Sequence, residues 1–130
     1  MKGFQSHITQ NINAPSQYAG LEALENKKGL KTISDMAKAF NERRLYITGR
    51  LKKMPHITCT NPQGAFYVLI DVSKLGTAAN IANDLLEKIN IAVVPAESFG
   101  APGFIRLSYA LSMEEIKIGM DRLEEYLVSI

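Results

Sequence analysis

The hydrophobic period of this chain changes at Pro55, and that change limits the fold more than any other feature. Before it, Met36, Phe40, Ile47, Leu51 and Met54 fall three, four or seven residues apart, one stripe at helical period. After it, Ile57-Thr58-Cys59-Thr60 is β-branched and Ala65-Phe66-Tyr67-Val68-Leu69-Ile70 is nearly all apolar. The first pattern predicts a long helix over about 32–53, ended by Pro55. The second predicts two strands joined as a hairpin through the turn-forming Asn61-Pro62-Gln63-Gly64. The unbroken apolar run predicts a strand covered on both faces. A chain that carries both periods in succession sets helices against a sheet.

The flanking segments extend this pattern. Residues 1–12 are polar and show no period. Asn13 is placed as an N-cap and Pro15 in a first turn, so a helix over 15–24 is expected, with Tyr18, Leu21 and Leu24 on one side. Asn26-Lys27-Lys28-Gly29 is expected to stop it, the glycine taking a left-handed conformation. A third helix is predicted over 78–89 from Ile81, Leu85 and Ile89. Ile91-Ala92-Val93-Val94 reads as a short strand closed by Pro95, residues 96–103 as a loop, and Phe104–Tyr109 as an alternating strand. Ser112 and Glu115 have the spacing of a capping box, with Leu111 and Ile116 as its staple, ahead of a helix over 113–127. The expected order is α-α-β-β-α-β-β-α. That is an α/β chain of the α+β type, a small, mostly antiparallel sheet packed with helices. Its 130 residues suit a single domain over 1–130, and the long second helix is expected to project or join another domain.

Composition removes several functions. Fifteen basic against thirteen acidic residues give no charge excess for nucleic acid. A single cysteine, Cys59, excludes an internal disulfide framework and suits a reducing, cytoplasmic setting. No apolar run approaches the roughly 18 residues of a membrane span, and the segment MKGFQSHITQ is too polar for a secretory signal. His7 and His56 lack metal-ligand spacing to each other or to Cys59 and read as ordinary loop residues. There is no G-x-S-x-G, and Cys59 lies in an expected strand, so it reads as a packing residue rather than a nucleophile. Gly100-Ala101-Pro102-Gly103 leads into a strand without a phosphate-loop lysine, so its glycines read as turn formers. Arg106 stands out, a charge inside the apolar strand FIRLSY. Two readings remain open from its position: an arginine on a solvated face, or a planar fork for a carboxylate.

Several segments in order carry a family likeness: QSHITQN before a capped helix, NPQGAFYVLIDVS, then INIAVVPAESFGAPGFIRLSYALSMEEIKIGMDRL. Together they resemble the C-terminal part of the aspartate aminotransferase family, pyridoxal-phosphate enzymes of fold type I, class I/II. The resemblance implies the family's small domain. It implies that Arg106 binds the α-carboxylate of an amino-acid substrate, that Phe66 lines the pocket beside it, and that Ser98, Phe99 and Gly100 shape a loop at the active site. It also implies a homodimer, with QSHITQN near the subunit interface and residues 1–30 bordering the cofactor domain.

The sequence departs from the family in places. Gln10 and Ile12 stand where the family often has Ser and Pro, so no phosphate contact is carried over to that stretch. No arginine occurs between residues 1 and 42, so a preference for dicarboxylates is not implied. None of the ten lysines lies in the family's S-K-x-x-x-x-x-G-x-R context, which supplies the lysine that bonds pyridoxal 5'-phosphate. The expectation is therefore a C-terminal domain or fragment of an aminotransferase. It would hold no catalytic, cofactor-binding or metal-binding residue of its own, and would be inactive without an N-terminal cofactor domain. Its partners would be amino acids and 2-oxo acids in the complete enzyme, not nucleic acid or membrane. The alternative is a standalone, non-catalytic α/β module for ligand binding or dimerisation.

Overall fold

Two asparagines punctuate the first part of the chain in a computed structural model, which describes residues 2–8 and 12–130. Helix α1 spans Lys2–Ile8, α2 Ala14–Glu25 and α3 Lys27–Leu51. Asn13 caps α2 by accepting from the Ser16 N–H at 3.0 Å. Asn26 is the only residue between α2 and α3. Its extended backbone ends α2, and its side chain accepts from the Lys28 N–H at 2.8 Å, capping α3. The expected four-residue stop at 26–29 is thus a single residue. Gly29 is not left-handed. It lies inside α3, where a Cβ would run into the Ala23 carbonyl, so the glycine permits close approach of backbones. Helix α1, where no element was expected, is too short for a period to be read from it.

The remaining elements are β1 Thr58–Cys59, β2 Tyr67–Asp71, α4 Ala78–Ile89, β3 Val94–Pro95, β4 Phe104–Ser108 and α5 Met113–Val128, with a 3-10 turn at Glu97–Phe99. The chain divides into two compact units, Met1–Lys38 and Ala39–Ile130. In the first, Phe4, Ile8, Tyr18, Leu21, Leu24, Leu30, Ile33 and Met36 are all exposed. Met36 therefore does not continue the buried stripe that Ile47 and Leu51 form farther along α3.

The second unit is built on a four-stranded sheet of order β1-β2-β4-β3, antiparallel at every pairing. Its central pair sets Val68 opposite Leu107, Leu69 opposite Arg106 and Ile70 opposite Ile105. Val68, Ile70, Ile105 and Leu107 are buried on one face. They pack with Ile47 and Leu51 of α3, Ile81 and Leu85 of α4, and Ile116, Met120, Leu123 and Leu127 of α5. The expectation that the apolar strand is covered on both faces is corrected here. Tyr67 and Leu69 point away from these helices and are only half-buried. Side-chain ties reinforce the helix layer. Arg50 of α3 meets Asp121 at 2.8 Å and Glu124 at 2.6 Å on α5, which hold its guanidinium pKa above the ordinary value. Tyr126 of α5 donates to Asp84 of α4 at 3.2 Å.

Helix α5 starts at the capping box read from the sequence. The Ser112 hydroxyl oxygen accepts from the Glu115 N–H at 3.2 Å, and the Glu115 carboxylate accepts from the Ser112 N–H at 3.0 Å. Ser112→Ala is expected to cost about 1 kcal/mol of unfolding free energy. Urea denaturation of the two chains checks this, and equal midpoints would show that the cap contributes nothing.

Candidate functional site

Arg106 lies in the middle of β4, on the sheet face that the helices leave open. Its neighbours Ile105 and Leu107 point into the core, so strand alternation turns the guanidinium outward. Two aromatic rings meet it there. The Arg106 Cζ lies 4.4 Å from the Tyr67 ring centroid and 4.2 Å from that of Phe99. Tyr67 comes from β2 and Phe99 from the turn after β3, the strands on either side of β4. Contacts of this kind are worth roughly 0.5–1 kcal/mol each near a surface. Among the described residues, no carboxylate lies within ion-pair distance of Arg106 and none of its N–H groups has a protein acceptor. The result is a half-buried guanidinium, held by rings, with its donors directed at no described group of this chain.

Phe66 sits beside this group. Its ring centroid is 4.4 Å from that of Tyr67 and 6.0 Å from that of Phe40 on α3. Its backbone is fixed from below. Ala65 adopts a left-handed φ of 58°, a conformation that costs a non-glycine residue roughly 1 kcal/mol or more. Tyr109 holds it there, its hydroxyl donating to the Ala65 carbonyl at 3.2 Å and its N–H to the Phe66 carbonyl at 2.9 Å. Arg44 of α3 donates to the Asn61 side chain at 3.2 Å and to the Pro62 carbonyl at 3.3 Å, anchoring the start of the same loop. Phe99 and Ser98 are exposed on the 3-10 turn, which Gly100 ends in the left-handed region at φ 77°.

The structure thus sets Phe99 against Arg106, joins Phe66 to them through the Tyr67 ring, and braces the Phe66 backbone with Tyr109. Tyr67 was missed because its part depends on the β2–β4 register. The available signal was its parity, two residues before Leu69, the partner of Arg106. The other candidates belong to other elements. His7 is in the last turn of α1, not in a loop. His56 is exposed in the turn after α3, at φ 64°. Cys59 is half-buried in β1, where desolvation pushes its thiol pKa up, the opposite of an activated nucleophile. Gln10 lies outside the described residues, and Ile12 is exposed. Among the described residues, no group of three or more His, Cys, Asp or Glu side chains could hold a metal ion. Among the described residues, no helix is long and apolar enough to cross a membrane.

The sequence profile of the family Aminotransferase class I and II matches residues 1–123. The chain belongs to this family. It is 42% identical over 129 residues to a probable aspartate/prephenate aminotransferase of Aquifex aeolicus, covering 96% of this chain and 33% of that protein. Against the aspartate aminotransferase of Pyrococcus horikoshii it is 37% identical over 130 residues, with 98% and 33% covered. Among solved structures, the aspartate aminotransferase of Thermotoga maritima matches with a TM-score of 0.85 at 40% identity, over 97% of this chain and 32% of that one. An aromatic aminotransferase of Pyrococcus horikoshii matches with a TM-score of 0.92 at 30% identity, over 98% and 35%. The chain therefore spans about a third of the length of the aminotransferases it matches.

Burial raises the pKa of Tyr109 above its ordinary value, opposed in part by the charge of Arg44. A phenol whose folded pKa is raised contributes stability that is complete below the unfolded pKa of about 10 and is lost as pH climbs through the folded value. The wild-type chain should lose stability above pH of about 10 more steeply than Tyr109→Phe. Urea midpoints measured across that range check this, and parallel curves would contradict it.

Proposed function

We propose that this chain is the C-terminal domain, residues 1–130, of a pyridoxal-phosphate aminotransferase that moves an amino group between an amino acid and a 2-oxo acid. Arg106 binds the α-carboxylate of the substrate, and Phe66 forms a wall of the pocket beside it. The observation that carries this is the Arg106 guanidinium itself, flanked by rings and without a protein acceptor among the described residues. Two parallel N–H donors match a carboxylate in plane, so the fork fixes the orientation of the substrate as well as binding it.

Pyridoxal 5'-phosphate supplies the electron sink of the reaction when bound. The described residues of this chain do not fit it. Every lysine from Lys27 to Lys117 is exposed, and none has the sequence context of the family's cofactor lysine. A cavity of about 400 Å³ beside α5, lined by Leu107, Leu111, Ile116 and Met120 among others, contains no lysine. The cofactor, in this reading, belongs to the two-thirds of the relatives that the chain does not span. Partner surfaces follow from the first unit, whose exposed Phe4, Tyr18, Leu21 and Leu24 suit contact with a cofactor domain and a second subunit. A cytoplasmic homodimer completes the proposal.

Residues 1–130 grafted in place of the matching third of the Thermotoga maritima aspartate aminotransferase give an enzyme in which the role of Arg106 can be measured. Arg106→Ala is expected to lower kcat/KM for amino acids roughly 10- to 100-fold. Kinetics unchanged by the substitution would remove the proposed role. For the chain alone, pyridoxal phosphate with borohydride trapping is expected to label lysines weakly and at several positions. Stoichiometric labelling of one lysine would mean that the chain holds a cofactor site after all.

A further inference from the structure

We propose that Tyr67 and Phe99 are positioning residues for Arg106, confining its guanidinium to a slot that admits a planar anion along the guanidinium edge. This deepens the carboxylate-binding reading of Arg106 and rests on it. The two rings approach the same Cζ, at 4.4 and 4.2 Å, one from β2 and the other from the turn after β3, which flank β4. In the proposed clamp the rings cover the faces of the guanidinium and leave its edge N–H donors to the anion. A carboxylate meets those donors within the guanidinium plane. A tetrahedral anion carries a third oxygen out of that plane, toward a ring.

Phe99 has no competing explanation in the core. The residue is 56% exposed, yet the turn that carries it is pinned. Ala96 is fully buried, and its carbonyl accepts from the Phe99 N–H at 3.0 Å and the Ala101 N–H at 3.1 Å. The Ala96 N–H in turn donates to the Phe104 carbonyl at 2.9 Å, tying the turn to the start of β4. Tyr67 is fixed as firmly, within β2 and against the Phe66 ring. Its hydroxyl takes no part in the clamp, so a phenylalanine can replace it.

The test uses the 130-residue chain and the Nε–Hε resonance of Arg106 in ¹H–¹⁵N spectra. The wild-type resonance is expected to be displaced by the two ring currents, and Tyr67→Phe to preserve that displacement. Phe99→Ala and Tyr67→Leu are each expected to lose part of it. Phe99 is exposed, so its substitution leaves the fold intact even where that of Tyr67 disturbs it. Titration then compares propionate with ethanesulfonate, of equal charge but tetrahedral at the anion. Propionate is expected to move the resonance more strongly, and its affinity to fall about two- to fivefold for each ring lost. A resonance identical in wild type and Phe99→Ala overturns the clamp, and so does an equal response to the two anions. A ring-dependent resonance that neither anion moves in any variant establishes the clamp and takes down the carboxylate reading instead.

Discussion

The pairing of β2 with β4 decides where every other group of the site can be. Five rungs, from Tyr67 opposite Ser108 to Asp71 opposite Phe104, tie the centre of the sheet. Because side chains alternate, that register sends Val68, Ile70, Ile105 and Leu107 toward the helices, and Tyr67, Leu69 and Arg106 the other way. Sliding β2 by one residue would exchange its two faces against a fixed β4. Valine and isoleucine would then meet the arginine, and the tyrosine would enter the core. The apolar core and the ring around Arg106 are therefore two results of a single alignment.

Much of this alignment's raw material is visible in the sequence. Helix α4 runs over the residues its stripe implies because Thr77 caps one end and Asn90, left-handed at φ 55°, closes the other. The capping box of α5 is equally local, two residues three positions apart that recognise each other. What is not local is not legible in the same way. The run Ala65–Ile70 is apolar throughout, and composition does not say which alternate residues a helix layer will cover. The pairing of Tyr67 with Arg106 crosses two strands far apart in sequence, so no window along the chain contains it. Position alone left Arg106 between two roles. The structure turns the side chain outward and sets it against the Tyr67 and Phe99 rings.

The I-R-L-S-Y segment can be read residue by residue in these terms. Ile105, Leu107 and Tyr109 face inward, and Arg106 and Ser108 outward. Tyr109 is the least expected of them, a phenol that is 1% exposed. Its hydroxyl and amide pay for the left-handed backbone at Ala65, and through Ala65 they set Phe66 beside Tyr67. One short segment thus supplies the core, the charged group and the brace for the loop next to that group. One face of the sheet thus holds the fold, and the other carries the guanidinium and the rings beside it.

The sheet ends, on both sides, in strands of two residues. At one edge β1 is Thr58–Cys59, and at the other β3 is Val94–Pro95, where the proline has no N–H to offer. Such short margins give an incoming strand almost nothing to bond to, which is how natural sheets avoid extending from one molecule into the next. A chain that exposes this many apolar side chains on its first helices is still closed to growth by strand addition. Resistance to fibrous aggregation comes with the length of its edge strands.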